Sequence, residues 1–408
     1  MSDDLAVRPL TSAEMPQFLE NDHIAFLEGP PGPERIEWEL RFLEQERTIG
    51  LFDADTLVGG GSAFTMRLTV PEARQVPMAG VTWVSVLPTH RRRGGLRALM
   101  RHQLHTLHET GAEPVAGLTA SQAPIYGRFG YGVATHALSL TVPRHANTLR
   151  LPEGVGDVRV RLVDPKAAID VCKQLYARQV LRRPGMLEKP DWWFEFDIAD
   201  LPDMRDGMSN IRYLLAERDG VPVGYASYRT KAAGRESQVH TRSAYADDPA
   251  AYAALLQVML NVDLTSQVVI DGLQTDSPLV SMLEDLRSAS PALHDGLYVR
   301  LVDLDRALAA RTYAAPIDVV LDVVDEFCPW NAGRWRLSGD ENGAACARTD
   351  DPADLTVGVR ELGSVYLGGV TLRGLASAGL VGEHTPGALR AVSRAFASDI
   401  APFLSLGI

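Results

Sequence analysis

The stretch VTWVSVLPTHRRRGGLRALM, residues 81–100, begins a run from Pro88 to His102 that holds five arginines and no acid, in a 408-residue chain whose formal net charge is −12. TWVSV is a β-branched and aromatic run of strand length, closed by Pro88 and Thr89. After Gly94 and Gly95, the apolar residues Leu96, Leu99, Met100, Leu104 and Leu107 recur at helical spacing. The arginines therefore stand where a strand hands over to a helix. The first turn of a helix leaves backbone N–H groups unpaired and carries the positive end of the macrodipole, so basic side chains are unfavourable there unless an anion is bound. Glycines at such a turn let the backbone approach a phosphate closely. Arg91, Arg92, Arg93, Gly94 and Gly95 together have the composition of a pyrophosphate site.

Composition frames this reading. At roughly 150 residues per domain the length suits two or three domains, each able to bury a core. Hydrophobic residues at 46% and charged residues at 23% are ordinary for a globular protein. MSDDLAVRPL lacks the basic-then-apolar order of a signal peptide, and no apolar run reaches the ~18 residues of a membrane span, so a cytoplasmic protein is expected. The acidic balance argues against nucleic-acid binding and favours cationic ligands. Cys172, Cys328 and Cys346 are far apart and lack metal-ligand spacing, which fits idle thiols in a reducing compartment. His90, His102, His105 and His108 cluster, but a solvated helix face explains them better than a metal, and no metal is expected.

A second stretch, LTASQAPIYGRFGYGV at residues 118–133, follows one helix later. With the first it resembles the GNAT N-acetyltransferases, whose acyl-CoA loop has the pattern Gln/Arg-x-x-Gly-x-Gly/Ala. Arg91 and Gly94 fit that pattern, while the last small position is occupied by Leu96. A buried tyrosine is ordinarily a packed ring, but the place of Tyr126 in this motif implies a catalytic phenol. The combination VSVLPTHRRRG, LTAS and IYGRFGYG is narrower, and is similar to the enhanced intracellular survival (Eis) family of acetyltransferases.

The remainder of the chain has the matching organisation. VRVRLVDPKAAIDVCKQLYARQV, YLLAERDGVPVGYASYRT and QVHTRSAYADDPAAYAALLQVMLNVDL repeat the order of strand, helix, hairpin, strand and helix found in the first third. At the corresponding turn, Tyr245-Ala-Asp-Asp-Pro-Ala offers two acids that cap a helix but repel phosphate, so this copy is not expected to bind CoA. From about Tyr298, short strands alternate with Gly, Asn and Asp turns. The closing helix is expected to carry Leu389, Val392, Phe396 and Ile400 on one face. DEFCPWN, YLGG and the terminal helix resemble a sterol-carrier-protein-like domain.

The expected fold is thus α/β (α+β), with two tandem GNAT-like domains and a sterol-carrier-protein-like α+β domain. Its divisions are a catalytic domain over residues 1–150, a degenerate copy over 151–297 and the third domain over 298–408. The resemblance implies acetyl-CoA as co-substrate, a cationic amine acceptor such as an aminoglycoside or a lysine side chain, and a homo-hexamer. It places Val84, Ser85, Val86 and Ser121 beside Arg91–Gly95 in the coenzyme site, with backbone donors at Val84 and Val86. Tyr126 is the implied acid, and the main-chain carboxylate of Ile408 the implied proton acceptor. Phe26, Glu28, Trp38 and Trp83 are implied at the acceptor pocket, with Trp192 or Trp193 as further walls. A non-catalytic CoA- or lipid-binding sensor or carrier is the alternative, and no membrane or nucleic-acid partner is expected.

Overall fold

The computed structural model describes residues 5–408. Those residues form two compact units: the chain up to Thr135 with Gly296–Pro402 and Leu406–Ile408, and His136–Asp295 with Phe403–Ser405.

The first unit begins with β1 (Leu5–Pro9), β2 (Ile49–Asp53), β3 (Thr56–Val70), β4 (Arg74–Val86), β5 (Val115–Thr119) and the two-residue β6 (Gly132–Val133). Helices α1 (Met15–Ala25) and α2 (Pro33–Phe42) lie between β1 and β2, and α3 (Gly95–Thr110) between β4 and β5. α3 forms as its spacing requires: Leu99, Met100, Leu104 and Leu107 are buried, Gly94 precedes it in the left-handed conformation and Gly111 ends it in the same one. α1 packs on β3 and β4 through Met15, Phe18 and Leu19.

The second unit is a sheet of β7 (His136–Pro143), β8 (Arg159–Val163), β9 (Arg212–Arg218), β10 (Val221–Lys231), β11 (Gln238–Ala246), β12 (Gln267–Gln274) and β13 (Ala292–Asp295). Its helices are α4 (Pro165–Val180), α5 (Asp191–Ala199), α6 (Pro249–Leu260) and α7 (Pro278–Met282). The repeat shows in the pairing. In each sheet an antiparallel run of four strands is followed by one parallel pair, β4 with β5 and β11 with β12. Asp248, at the acidic turn, caps α6 by accepting from the Ala251 amide and is held by Arg218 at 2.8 and 3.1 Å, while Asp247 pairs with Arg178.

Strand order departs from chain order at one place in each sheet. β14 (Leu297–Leu301) inserts between β5 and β6 of the first sheet, and β7 lies between β12 and β13 of the second. β7 therefore precedes residue 150 in the chain yet belongs to the second sheet, and β14 begins at Leu297 yet completes the first. β14 is buried at all five positions, which suits a central strand.

The rest of the first unit holds α8 (Leu304–Ala309), β15 (Ile317–Val324), β16 (Gly333–Gly339), β17 (Ala344–Arg348), β18 (Leu355–Gly358), α9 (Val359–Val365), α10 (Leu372–Ser377), β19 (Val381–Glu383) and α11 (Ala388–Phe396). Its five strands run in the order β17-β16-β15-β18-β19. α11 buries Val392 and Phe396 as its spacing suggests, but Ile400 lies beyond its end. The backbone turns extended at Ala397, and the Ser398 hydroxyl donates to the Ile400 carbonyl instead of letting the helix continue. Among the described residues, no helix is long and apolar enough to cross a membrane.

Candidate active site

β4 and β5 are in parallel register only from Met78 opposite Val115 to Gly80 opposite Gly117. Beyond that point β4 runs on to Val86 and β5 to Thr119 without pairing to each other, so the sheet opens into a fork. Backbone N–H and C=O groups along the inner edge of β4 are thereby left to a ligand or to water. A bulge bends β4 within this stretch: Gly60 faces Ser85 and Ser62 faces Thr82, leaving Trp83 and Val84 opposite Gly61 alone. Trp83 takes a φ of 49° there, uncommon for a bulky residue. The run VGGG on β3 is what admits the bulge, since a Cβ on Gly59 would lie 2.4 Å from the Ser85 carbonyl oxygen.

At the end of β4 the arginines separate into different tasks. Arg91 donates to the carbonyls of Val86 at 3.2 Å and Ala25 at 3.0 Å, tying the strand end to the end of α1. Arg93 donates to Asp53 at 2.8 Å, with His90 Nε2 3.3 Å from the same carboxylate, and the Arg93 hydrogen bond lowers the carboxyl's pKa. Arg92 is exposed, at a φ of 63°. Gly94 adopts a φ of 87° that L-residues rarely take, with open space where a Cβ would stand, whereas Gly95 is buried against Leu51. No side chain caps α3, so its first-turn amides remain available to an anion. Leu96, the departure from the motif, packs partly buried against the core that contains Tyr126.

Across the fork, Tyr126 begins a short 3-10 turn after β5. Its ring is buried, meeting Tyr131 edge-on at 5.9 Å, and its hydroxyl pKa is pushed up to about 12, first by burial and then by the charge of Asp22. Ser121 is exposed in the turn between β5 and Tyr126. Ile408 comes to the same strand: the Thr119 hydroxyl donates to its main-chain oxygen.

The implied pocket residues fall into two places. Phe26 caps the end of α1 and is exposed. Glu28 is bound by His23 Nδ1 at 3.0 Å and Arg35 at 2.7 Å. Trp38, half-buried on α2, packs against Phe42 and lies under Arg41. Trp83 meets Phe64 edge-on at 5.3 Å and packs, with Ile36 and Leu40 of α2, on the cluster around Met15, Phe18 and Leu19 of α1. In the second unit Trp192 and Trp193 stack on each other at 5.0 Å. His105 and His108 pack on Trp330, and among the described residues no group of three His, Cys, Asp or Glu side chains is placed to hold a metal.

One functional candidate was not singled out from sequence. Asp22 lies on the buried face of α1 beside Ser85 of β4, and its pKa is pushed up from an ordinary 3.8 to about 6. Burial is the main cause, opposed by the Ser85 hydroxyl and by His23, and reinforced by Glu39 and Glu28. The signal was available: Met15, Phe18, Leu19 and Asp22 follow helical spacing, so the acid occupies an apolar position. Its linkage has the reverse sign of an ordinary surface aspartate. Between about pH 4 and 6 the folded chain binds more protons here than the unfolded one, so stability falls as pH rises through that window, by up to roughly 3 kcal/mol, and is level above it. Denaturant unfolding of native and Asp22→Asn chains at pH 4 and 7 should show the variant gaining on the native protein at the higher pH.

Models of the acetyltransferase (GNAT) domain match residues 6–134 and 185–301, and a model of the sterol carrier protein domain matches residues 304–405. The chain is 47% identical to an N-acetyltransferase of Streptomyces avermitilis described as uncharacterized, over 92% of each chain. It is 34% identical to the N-acetyltransferase Eis of Mycobacterium tuberculosis, over 84% of each. The crystal structure of Eis1 from Mycobacterium abscessus superposes with a TM-score of 0.83 at 33% identity, covering 99% of this chain and 100% of the other.

Proposed function

The chain belongs to the Eis family of GNAT N-acetyltransferases, and from that membership we propose that it transfers the acetyl group of acetyl-CoA directly to primary amines of cationic acceptors, either aminoglycosides at one or several positions or lysine side chains. The observation that carries the reading is the fork between β4 and β5, with an uncapped helix start at one end and a buried phenol across it. An extended ligand bearing amide groups suits the unpaired edge of β4, and a pyrophosphate suits the first turn of α3. Val84, Ser85 and Val86 through their main chain, with Arg91–Gly95 and Ser121, would hold the coenzyme. Arg92 and the helix amides are the more available anion contacts, because Arg91 and Arg93 already have partners. When bound, acetyl-CoA supplies an acyl carbon activated as a thioester.

The roles of the chain's own groups follow from the needs of amide formation. An alkylammonium with a pKa near ~10 attacks only after losing a proton. The main-chain carboxylate of Ile408, brought to β5 by the Thr119 hydroxyl, is the proposed acceptor of that proton. Backbone N–H groups of Val84 and Val86 are the proposed donors to the developing oxyanion. Tyr126 is the proposed acid for the departing sulfur; its raised pKa keeps the phenol protonated at neutral pH. Phe26, Trp38 and Trp83 are the proposed aromatic walls for the cation, and Glu28 is a proposed anion already shared with His23 and Arg35. A homo-hexameric assembly in the cytoplasm is part of the same proposal, by likeness to the family.

Thiol release from acetyl-CoA, measured with a panel of aminoglycosides, polyamines and lysine peptides, tests the reading. Release that depends on the acceptor is expected. A chain extended by several residues beyond Ile408 should lose at least about tenfold in kcat/KM, since the terminal carboxylate then becomes an amide. Binding of acetyl-CoA with no release for any acceptor would overturn the acceptor class, and full activity of the extended chain would remove Ile408 from the mechanism.

A further inference from the structure

We propose that Asp22, together with the Ser85 hydroxyl, receives the ammonium group of the acceptor. This rests on the amine-acetylating reading and adds to it a specificity-determining carboxylate.

Asp22 is 8% exposed and Ser85 5% exposed. Although the two side chains face one another, neither Asp22 Oδ1 nor Ser85 Oγ has a well-formed hydrogen bond among the described residues. A buried acceptor left without a donor is costly, and a carboxylate more so than a hydroxyl. The fold retains both, on facing elements.

The surroundings show that the missing partner is a cation. Besides Asp22, the charged groups of this region are His23 and Glu28 at the end of α1, Arg35 and Glu39 on α2, and Arg91, whose guanidinium donates to the Val86 and Ala25 carbonyls. His23 is committed to Glu28 and Glu39 through its two ring nitrogens, at 3.0 and 3.1 Å. Arg35 is committed to the same two acids, at 2.7 and 2.8 Å. These two cations thus satisfy Glu28 and Glu39, and among the described residues no cationic side chain forms an ion pair with Asp22. An ammonium group brings three donors and a positive charge, which matches a buried carboxylate oxygen and a hydroxyl oxygen that can both accept.

The pair is also placed for the reaction. Ser85 lies on β4 between Val84 and Val86, in the stretch that has parted from β5. Tyr126, across the fork, feels the charge of Asp22. A cation held at Asp22 therefore lies within the electrostatic field of the proposed acid, where its presence would offset the carboxylate's effect on the phenol. A carboxylate retained only for stability would be paired; this one weakens the ligand-free fold above about pH 6.

Calorimetric titration of spermidine into the native chain, Asp22→Asn and Ser85→Ala at pH 7.5 tests the proposal. The aspartate variant should bind about 10- to 100-fold more weakly, as loss of one partner of a buried charge pair requires, and the serine variant a few-fold more weakly. Asp22→Asn should melt no lower than the native chain. Its KM for the amine should rise by the same factor as its dissociation constant, with KM for acetyl-CoA unmoved. Native affinity should fall between pH 7.5 and 5, and the variant should lose most of that fall. Unchanged spermidine affinity in Asp22→Asn overturns the proposal, as does a variant that melts lower while KM for the amine stays constant. Should Asp22→Asn not fold, native affinity in Ser85→Ala overturns it equally. The two readings fail differently: native chain that binds spermidine through Asp22 yet releases no thiol loses the acceptor reaction, whereas unaltered binding in the variant with thiol release intact loses Asp22.

Discussion

Tyr126→Phe will lower kcat for acceptor-dependent thiol release by about 10²- to 10⁴-fold, the usual contribution of a positioned general acid. KM for acetyl-CoA will change little, because only one oxygen is removed. The ring of Tyr126 sits in the core cluster with Phe129, Tyr131 and Tyr298, and phenylalanine keeps that packing and its edge contact to Tyr131. Loss of activity would therefore report the hydroxyl and not the fold, which an unchanged melting temperature would verify. The pH profile adds a second constraint. With its pKa raised to about 12 by burial and by Asp22, the phenol stays protonated through pH 9, so no basic limb below that pH should come from Tyr126. A variant within threefold of native activity would mean that another group, or water, protonates the departing sulfur.

Local chemistry makes much of the backbone around this site legible in the sequence. A strand, a basic turn, two glycines and an amphipathic helix each follow from nearest-neighbour preferences, and residues 81–110 fold as those preferences dictate. The hairpins after Thr48 and Arg212 are equally local. What escaped depends on partners distant in the chain. LYVRL reads as a buried strand, but nothing within it says that it will insert between β5 and β6 rather than join the strands that follow it. Asp22 escaped for a different reason. Helical spacing put it on the apolar face of α1, but a charge at such a position is meaningful only once Ser85 and Tyr126 are known to be near it. The three arginines looked equivalent as a run; only the positions of Ala25, Val86 and Asp53 distinguish Arg91 and Arg93 from Arg92.

Asp325→Ala should destabilise the chain by about 3–5 kcal/mol, because it leaves Arg300 as a buried charge without its carboxylate. Both side chains are almost wholly buried, at 0% and 1% exposure, and the guanidinium donates to the carboxylate at 2.6 Å. Asp325 is not a simple counter-ion. It also accepts from the Cys328 amide at 2.9 Å and from Asn331 at 3.1 Å, so one carboxylate organises the turn after β15 while neutralising β14. Arg300 also donates to the Leu301 carbonyl, which cannot replace the lost charge. Denaturant unfolding should therefore show a much larger loss for Asp325→Ala than for the double variant Asp325→Leu with Arg300→Met, in which no charge is left buried. If the single and double variants lost equal stability, packing and the turn would account for the effect, and the ion pair would not. The consequence reaches the active site through β14 itself. Leu297 of that strand pairs with Thr119, the residue whose hydroxyl holds the Ile408 main chain, and Tyr298 packs in the cluster around Tyr126. Under conditions where Asp325→Ala remains folded, its kcat/KM should accordingly fall by more than its folded fraction explains, and the double variant should recover most of that loss.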